Sequence, residues 1–457
     1  TSSGTYTFSN CNFLSASFTA SSTSNISASD TEFEDCTVSS SGTLSINSSQ
    51  FTGLSTITAS ATGAVVSISR TIFNRTSIST TAGSTINLTI ADSLLNACTI
   101  SSSAAGSGSK SFTAFQANRS TVTLNGTGAT IIQYTQALDS TLTCSSSNPM
   151  TYTSAVVNRT TMNTTGTATL SVISTEVSSG TTHNFSIGTM TLVTSKIGTN
   201  SFNKTQGAGF TTLTDCTVEN SYCTFANAGT VQLARVNINT GSIIGFGSSD
   251  GASHTFSFID SVFSQGQFAS GSNTALSTTN IQNTTVENKG GIFIFSTAGI
   301  TGTRTINYNK VVAGGSISIN ASANYTVFNN FLTTGSISIN NNQDFLASVN
   351  YNQVHDGSIN INQTTGITVE HNFLHSGATI QNNTFNITPT VTYNKLGGQT
   401  TLNVNASVTV TKSIFDLGHT FNTAFNVTSG IYQTPTNQTT SAGNFGTYVG
   451  YGLSTII

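Results

Sequence analysis

The chain has 457 residues, only 6% of them charged, with 13 basic and 16 acidic side chains and a net charge of −3. Soluble domains typically carry roughly 25% charged residues, and no basic patch stands out among these few, which argues against a nucleic-acid-binding surface. No apolar run approaches the ~18 residues that a membrane-spanning helix requires, and six Cys in a chain this long do not form a disulfide scaffold.

A composition rich in Ser, Thr and Asn would suit a disordered chain. That reading fails because apolar residues recur in phase along nearly the whole length, and disordered chain has no reason to keep phase. The chain opens at Thr1 without a Met or a signal-like segment, which reads as a processed or partial chain.

Thr5-Tyr6-Thr7-Phe8 alternates like a strand at once. Apolar anchors follow at Phe13, Phe33, Phe51, Phe73, Leu95, Val122, Leu142, Met162, Val177 and Ile197, then at Val218, Ile238, Phe263 and Val286. The series runs on through Val311, Leu332, Val354, Leu374 and Leu396 to Phe415, a mean interval of (415 − 13)/19, about 21 residues. Two spacings stand out, 27 residues from Leu95 to Val122 and 15 from Met162 to Val177. Units this short cannot bury their own apolar faces and must stack, which is the signature of a solenoid. Period-two alternation within the unit makes it all-β. The expected fold is a parallel β-helix (β-solenoid) over residues 1–415, of about 20 coils with ~21 residues per coil, followed by a non-repeating segment, 416–457, that serves as cap or assembly contact.

Two places before each early anchor stands Ser, Thr or Cys, as at Cys11, Thr31, Ser49, Thr71 and Ser93. From residue 309 the column becomes Asn: Asn309, Asn330, Asn352, Asn372 and Asn394. Stacked amides can donate to and accept from neighbouring coils, so an asparagine ladder is expected inside the second half. Three places before the anchors, opposite charges alternate at Arg70, Asp92, Arg119, Asp139 and Arg159, which reads as an ion-pair ladder on one edge. In the second half that column turns aromatic, with Tyr308, Tyr351, His371 and Tyr393. It is the best candidate for a ligand-contact stripe, with rings that could stack on sugars.

Two clusters could carry chemistry: Glu32, Glu34 and Asp35, and His355 and Asp356 with Glu370, His371 and His375. Clustered carboxylates would suit acid–base work or a weak cation site, and paired imidazoles a base or metal ligand. Both read better as solvated corners, with His355 and His375 stacked at about 5 Å in adjacent coils. The cysteines lack metal spacing; Cys216 and Cys223 could bridge a turn, and otherwise the six are small fillers. No catalytic residue, cofactor or metal is assigned. Asn-X-Ser/Thr sequons abound, at Asn25, Asn47, Asn74, Asn87, Asn118, Asn320, Asn324, Asn362, Asn405, Asn426 and Asn437, and are candidate glycosylation sites if the chain is secreted.

Beyond Phe415 the phase is lost, and the chain finishes on the apolar stretch Leu453–Ile457. Neither terminus shows a capping helix, so another domain or another copy is expected to cover the open coils.

The Asn-x-apolar, Gly-Ser-Ile-Ser-Ile and Asn-ladder pattern resembles right-handed parallel β-helix proteins, a group that spans virus tailspikes and fibres, surface adhesins and pectate-lyase-like enzymes. The resemblance covers roughly residues 1–415 and is one of architecture. No catalytic signature of the lyase-like members matches, so their activity is not implied. The expectation is a non-enzymatic extracellular structural protein, a subunit of a surface filament, sheath or adhesin that self-associates end to end or through 416–457. A glycan-binding virus appendage is the alternative. Ice binding is a third reading, against which the outward residues Ser318, Ser338, Asn360 and Asn403 are Ser and Asn rather than Thr.

Overall fold

A computed structural model describes residues 4–382, apart from short segments joining successive coils and some adjoining side chains. Past 382 it describes backbone strands reaching Gly450 and the side chain of Asn394. Every regular element among the described residues is a strand, and the strands pair in parallel from coil to coil about 21 residues apart. The protein is a parallel β-solenoid. The chain divides into two compact units, Thr1–Ala228 and Gly229–Ile457.

One coil shows why the sequence winds this way. Val65–Ser69 alternates, with Val66 and Ile68 buried and Ser67 and Ser69 outward. The three-residue strand Ile72–Asn74 turns Phe73 inward, and Ser77–Thr80 turns Ile78 inward. Between these strands lie two corners, each made by one residue in the left-handed region, Arg70 at φ 51° and Arg75 at φ 56°. Such a conformation costs a non-glycine residue about 1 kcal/mol or more. Stacking offsets it, because the N–H of Arg70 donates to Ala91 O, and that of Arg75 to Asn96 O, both at 3.0 Å in the next coil. After each corner residue comes a small buried polar one, Thr71 and Thr76 here. The left-handed positions recur at the same two corners in both units.

The core is a set of side-chain columns. Phe13, Phe33, Phe51, Phe73 and Leu95 stack in register, with the Phe33 and Phe51 rings 4.4 Å apart and nearly parallel. Fully burying one such side chain contributes roughly 1.5–3 kcal/mol, repeated coil after coil. In the second unit Ile317 and Ile337, from the Gly-Ser-Ile-Ser-Ile motif, form a column with Ile359 and Ile380 on the third strand of each coil.

The expected anchor series needs correction in the first unit. After Leu95 the column continues through Ala117, Ala137 and Val157 to Val177. Val122, Leu142 and Met162 belong to the third strand, stacked on Ile78 and Ile100. The two odd spacings mark where the reading slid one strand forward and then back. Alanine is the reason: Ala117 and Ala137 fill the column with little hydrophobic signal, while the neighbouring strand holds larger residues. Coils described on all three strands, side chains included, are fewer than the twenty expected. Parallel pairing does not stop at Phe415: Val408–Phe415 pairs with Phe425–Tyr432, and that strand with Phe445–Gly450. The boundary at 415 therefore marks lost spacing, not the end of strand pairing. The tail after Gly450 lies outside the described residues.

Candidate functional site

The most elaborate polar arrangement is the asparagine ladder at the first corner of the second unit. Asn309, Asn330, Asn352, Asn372 and Asn394 are all at most 3% exposed. Asn352 Oδ1 accepts the backbone N–H of Asn330 at 3.0 Å and its Nδ2–H at 2.9 Å. Its own Nδ2 donates to Val327 O at 3.0 Å and to Asn372 Oδ1 at 2.9 Å. Each amide thus ties the coil before to the coil after. The expected ladder is present, and it accepts its first bond from Thr284 N, at the last hydroxyl coil, to Asn309 Oδ1 at 3.0 Å.

Outside this ladder lies the aromatic stripe. Tyr308, Tyr351 and His371 are exposed, and each occupies the left-handed corner position. Tyr393 lies outside the described residues. Tyr351 and His371 stack at 4.7 Å with ring planes 9° apart, and Tyr308 meets Phe328 edge-on at 5.7 Å. Parallel stacking commits the facing ring surfaces of Tyr351 and His371 to each other. One face of each ring is thereby withdrawn from the sugar stacking expected of the stripe. Phe331 and Phe373 flank the stripe with large exposed rings.

On the far side of the same short strand His355 and His375 stack at 5.4 Å and 12°, as their shared phase implies. His355 Nδ1 lies 3.3 Å from Asp356 Oδ2, and His375 Nδ1 bonds Ser376 Oγ. His371 lies at the other corner, so the cluster read from the sequence is split between two edges. Among the described residues no three His, Cys, Asp or Glu side chains converge as metal ligands do. Glu32 and Glu34 are exposed on their strand, while Asp35 accepts Leu54 N at 2.8 Å, a corner-bracing role.

The ion-pair ladder is corrected to two separate corners. Arg70 and Asp92 sit at the first corner, where the N–H of Asp92 leads on to the coil of Thr113 and Ala114. Arg119, Asp139 and Arg159 sit at the second, beneath which Ala97 donates to Asn118 O. Asp139 and Arg159 do pair, at 2.6 Å, and the guanidinium holds the carboxyl below its ordinary pKa. Arg70 instead donates to the Asn47 amide oxygen at 2.9 and 3.1 Å. The slid anchor series merged two corners into one column.

All six cysteines are free thiols, so Cys216 and Cys223 do not bridge. Cys36, Cys98 and Cys216 occupy the corner columns, with Sγ directed at the carbonyl two residues back, as serine does there. Burial pushes the Cys144 and Cys223 thiols up to about 12.

Among the described residues, two buried cations escaped the sequence reading. Arg304 is 0% exposed, donates from Nη1 to Tyr325 Oη at 3.1 Å and lies 5.7 Å from that ring's centroid. Lys110 is 3% exposed, with Nζ donating to Gly108 O at 3.2 Å, and burial lowers its pKa. The signal was alternation: Arg304 stands two residues before inward Ile306, and Lys110 two before inward Phe112.

Of the sequons, Asn25, Asn87 and Asn324 are exposed, whereas Asn47, Asn74, Asn118, Asn320 and Asn362 are half-buried. Asn405, Asn437 and the side chain of Asn426 lie outside the described residues. No protein-family model matches the chain, and no curated protein matches it.

Proposed function

We propose that the chain is a non-enzymatic structural protein of the cell exterior, a β-solenoid subunit of a filament, sheath or adhesin that stacks end to end. The observation that carries this reading is where its buried polar groups go. Each ladder Asn bonds the coil before and the coil after, so the amide chemistry of the second unit is committed to axial register. Such side chains resist slippage between coils, the property a fibre subunit needs.

End-to-end stacking is supported by the first coil. Its inward residues Phe8, Phe13 and Phe18 form a ring cluster 4.7–5.2 Å across, yet all three are half-exposed. One coil on, Phe33 and Val38 are each 1% exposed. A further layer of parallel strand would bury the cluster, and in this proposal that layer comes from a second copy. Electron microscopy of the native assembly, with sedimentation across a concentration series, tests this. End-to-end polymers that Phe13→Asp shortens are expected. Isolated particles at every concentration would overturn the reading, as would polymers indifferent to Phe13→Asp.

The exposed rings of Tyr308, Tyr351, Phe331 and Phe373 favour a second reading, a virus appendage that binds surface glycans. Glycan-array binding lost in Tyr351→Ala, together with a stable trimer, would select it over the first.

A further inference from the structure

Three of the described sequons share one geometry. Asn25, Asn87 and Asn324 each open the first strand of a coil, Asn25–Ser29, Asn87–Ala91 and Asn324–Phe328, with the next residue turned inward. In each, Oδ1 accepts a backbone N–H from the following coil: Thr43 at 2.9 Å, Ser109 at 2.9 Å and Leu346 at 3.0 Å. That bond fixes the carboxamide with its oxygen toward the sheet, and the geometry of a planar amide then turns Nδ2 away from it. The sequon hydroxyls Ser27, Thr89 and Thr326 sit at the same outward parity two residues on.

The contrast with other sequons is chemical. Asn362 uses Nδ2 as a donor to Asn340 Oδ1 at 2.6 Å and is half-buried. Asn47 is half-buried beneath Ser69 and Arg70, which both donate to its oxygen.

We infer that Asn25, Asn87 and Asn324 are N-glycosylation sites, and that Asn362 is not. In the transfer, the anomeric C1–O bond of a polyprenyl-diphosphate-linked oligosaccharide breaks and the diphosphate leaves with the electron pair. The Asn Nδ2–C1 bond forms and the amide loses one proton. The carbonyl oxygen keeps its lone pairs, so the bonds from Thr43, Ser109 and Leu346 survive the modification. A glycan on Asn362 would instead crowd the bond to Asn340. Asn25 and Asn87 lie three coils apart in one column, so glycans there would cover the strand-entry edge, where Val65 is 37% exposed. In the native source this inference rests on the extracellular reading.

The test does not depend on that reading. The full chain is secreted from a eukaryotic host behind an added signal, then deglycosylated enzymatically in heavy-oxygen water, which marks each formerly glycosylated Asn as labelled Asp. Label at Asn25, Asn87 and Asn324, with Asn362 unlabelled, is expected. The hydroxyl variants Ser27→Ala, Thr89→Ala and Thr326→Ala should each erase the matching label while leaving the Asn bond and the secreted yield in place. Secreted chain without label at the three sites, or with Asn362 labelled as fully as they are, overturns the inference. Polymer formation is scored separately on native material, so either proposal can fail alone.

Discussion

Ser195 in the first unit and Asn352 in the second solve the same problem at the same corner with different chemistry. Ser195 Oγ accepts Thr175 N at 3.3 Å and shares its single proton between Val193 O at 2.9 Å and Val172 O at 3.3 Å. Asn352 has two protons to give and an oxygen that accepts twice, and all four contacts fall between 2.9 and 3.0 Å. A hydroxyl braces its own coil and only leans on its neighbour, whereas an amide bonds both neighbours fully. The second corner changes in parallel. Where the first unit has Ser55, Thr76, Ser120 and Ser140, the second has Gly290, Gly315, Gly335 and Gly357. A Cβ at Gly315 would stand 2.2 Å from Val286 O, so the backbones approach there as closely as glycine alone allows. One architecture is thus held by hydroxyl bridges at both corners in the first unit, and by amide bridges at one corner with close backbone approach at the other where the second unit carries its asparagines.

The largest break in this comparison is expected from Asn352→Asp. It places an oxygen against Val327 O and Asn372 Oδ1 and buries a charge, a loss of about 4 kcal/mol or more at neutral pH. Burial raises the folded-state pKa of the new carboxyl, so stability should return as pH falls through that raised value, seen by urea titration at two pH values. Asn352→Ala should cost about 3 kcal/mol, because buried partners lose their bonds. Gly315→Ala should cost about 1–3 kcal/mol through overpacking against the carbonyl. Ser195→Ala should cost about 1 kcal/mol, the hydroxyl being one shared donor. Hydrogen exchange read by mass spectrometry assigns each loss to its own unit. If Ser195→Ala matches Asn352→Ala, the contrast between hydroxyl and amide corners is wrong.

Alkaline pH should weaken both units, the first from a lower pH, since in the second the buried Tyr325 rises from 10.0 to about 12. All six cysteines precede Gly229, and Cys144 and Cys223 rise from the ordinary 9.0 to about 12. An acid whose folded pKa is raised contributes full stability below its unfolded value and loses it as pH climbs through the folded one. The first unit should therefore weaken between pH 9 and pH 12, and Cys144→Ser should flatten part of that slope. Smallest of all is Asp139→Asn: its pair with Arg159 is solvent-exposed, so melting should not shift measurably at ordinary salt.

The repeat length, the all-β class and the asparagine ladder were legible in the sequence because period-two alternation and a recurring Asn phase are local signals. Asn309 to Asn394 could be placed on one corner from spacing alone. Which of two corners Arg119, Asp139 and Arg159 occupy could not, since Ala117 and Ala137 left the true column silent and a neighbouring strand spoke louder. Nor does sequence say which face of Tyr351 meets His371, or which atom of a sequon Asn is engaged. Those depend on register between residues about twenty positions apart. Parallel pairing sets that register only once neighbouring coils are stacked and their corners locked in the left-handed conformation.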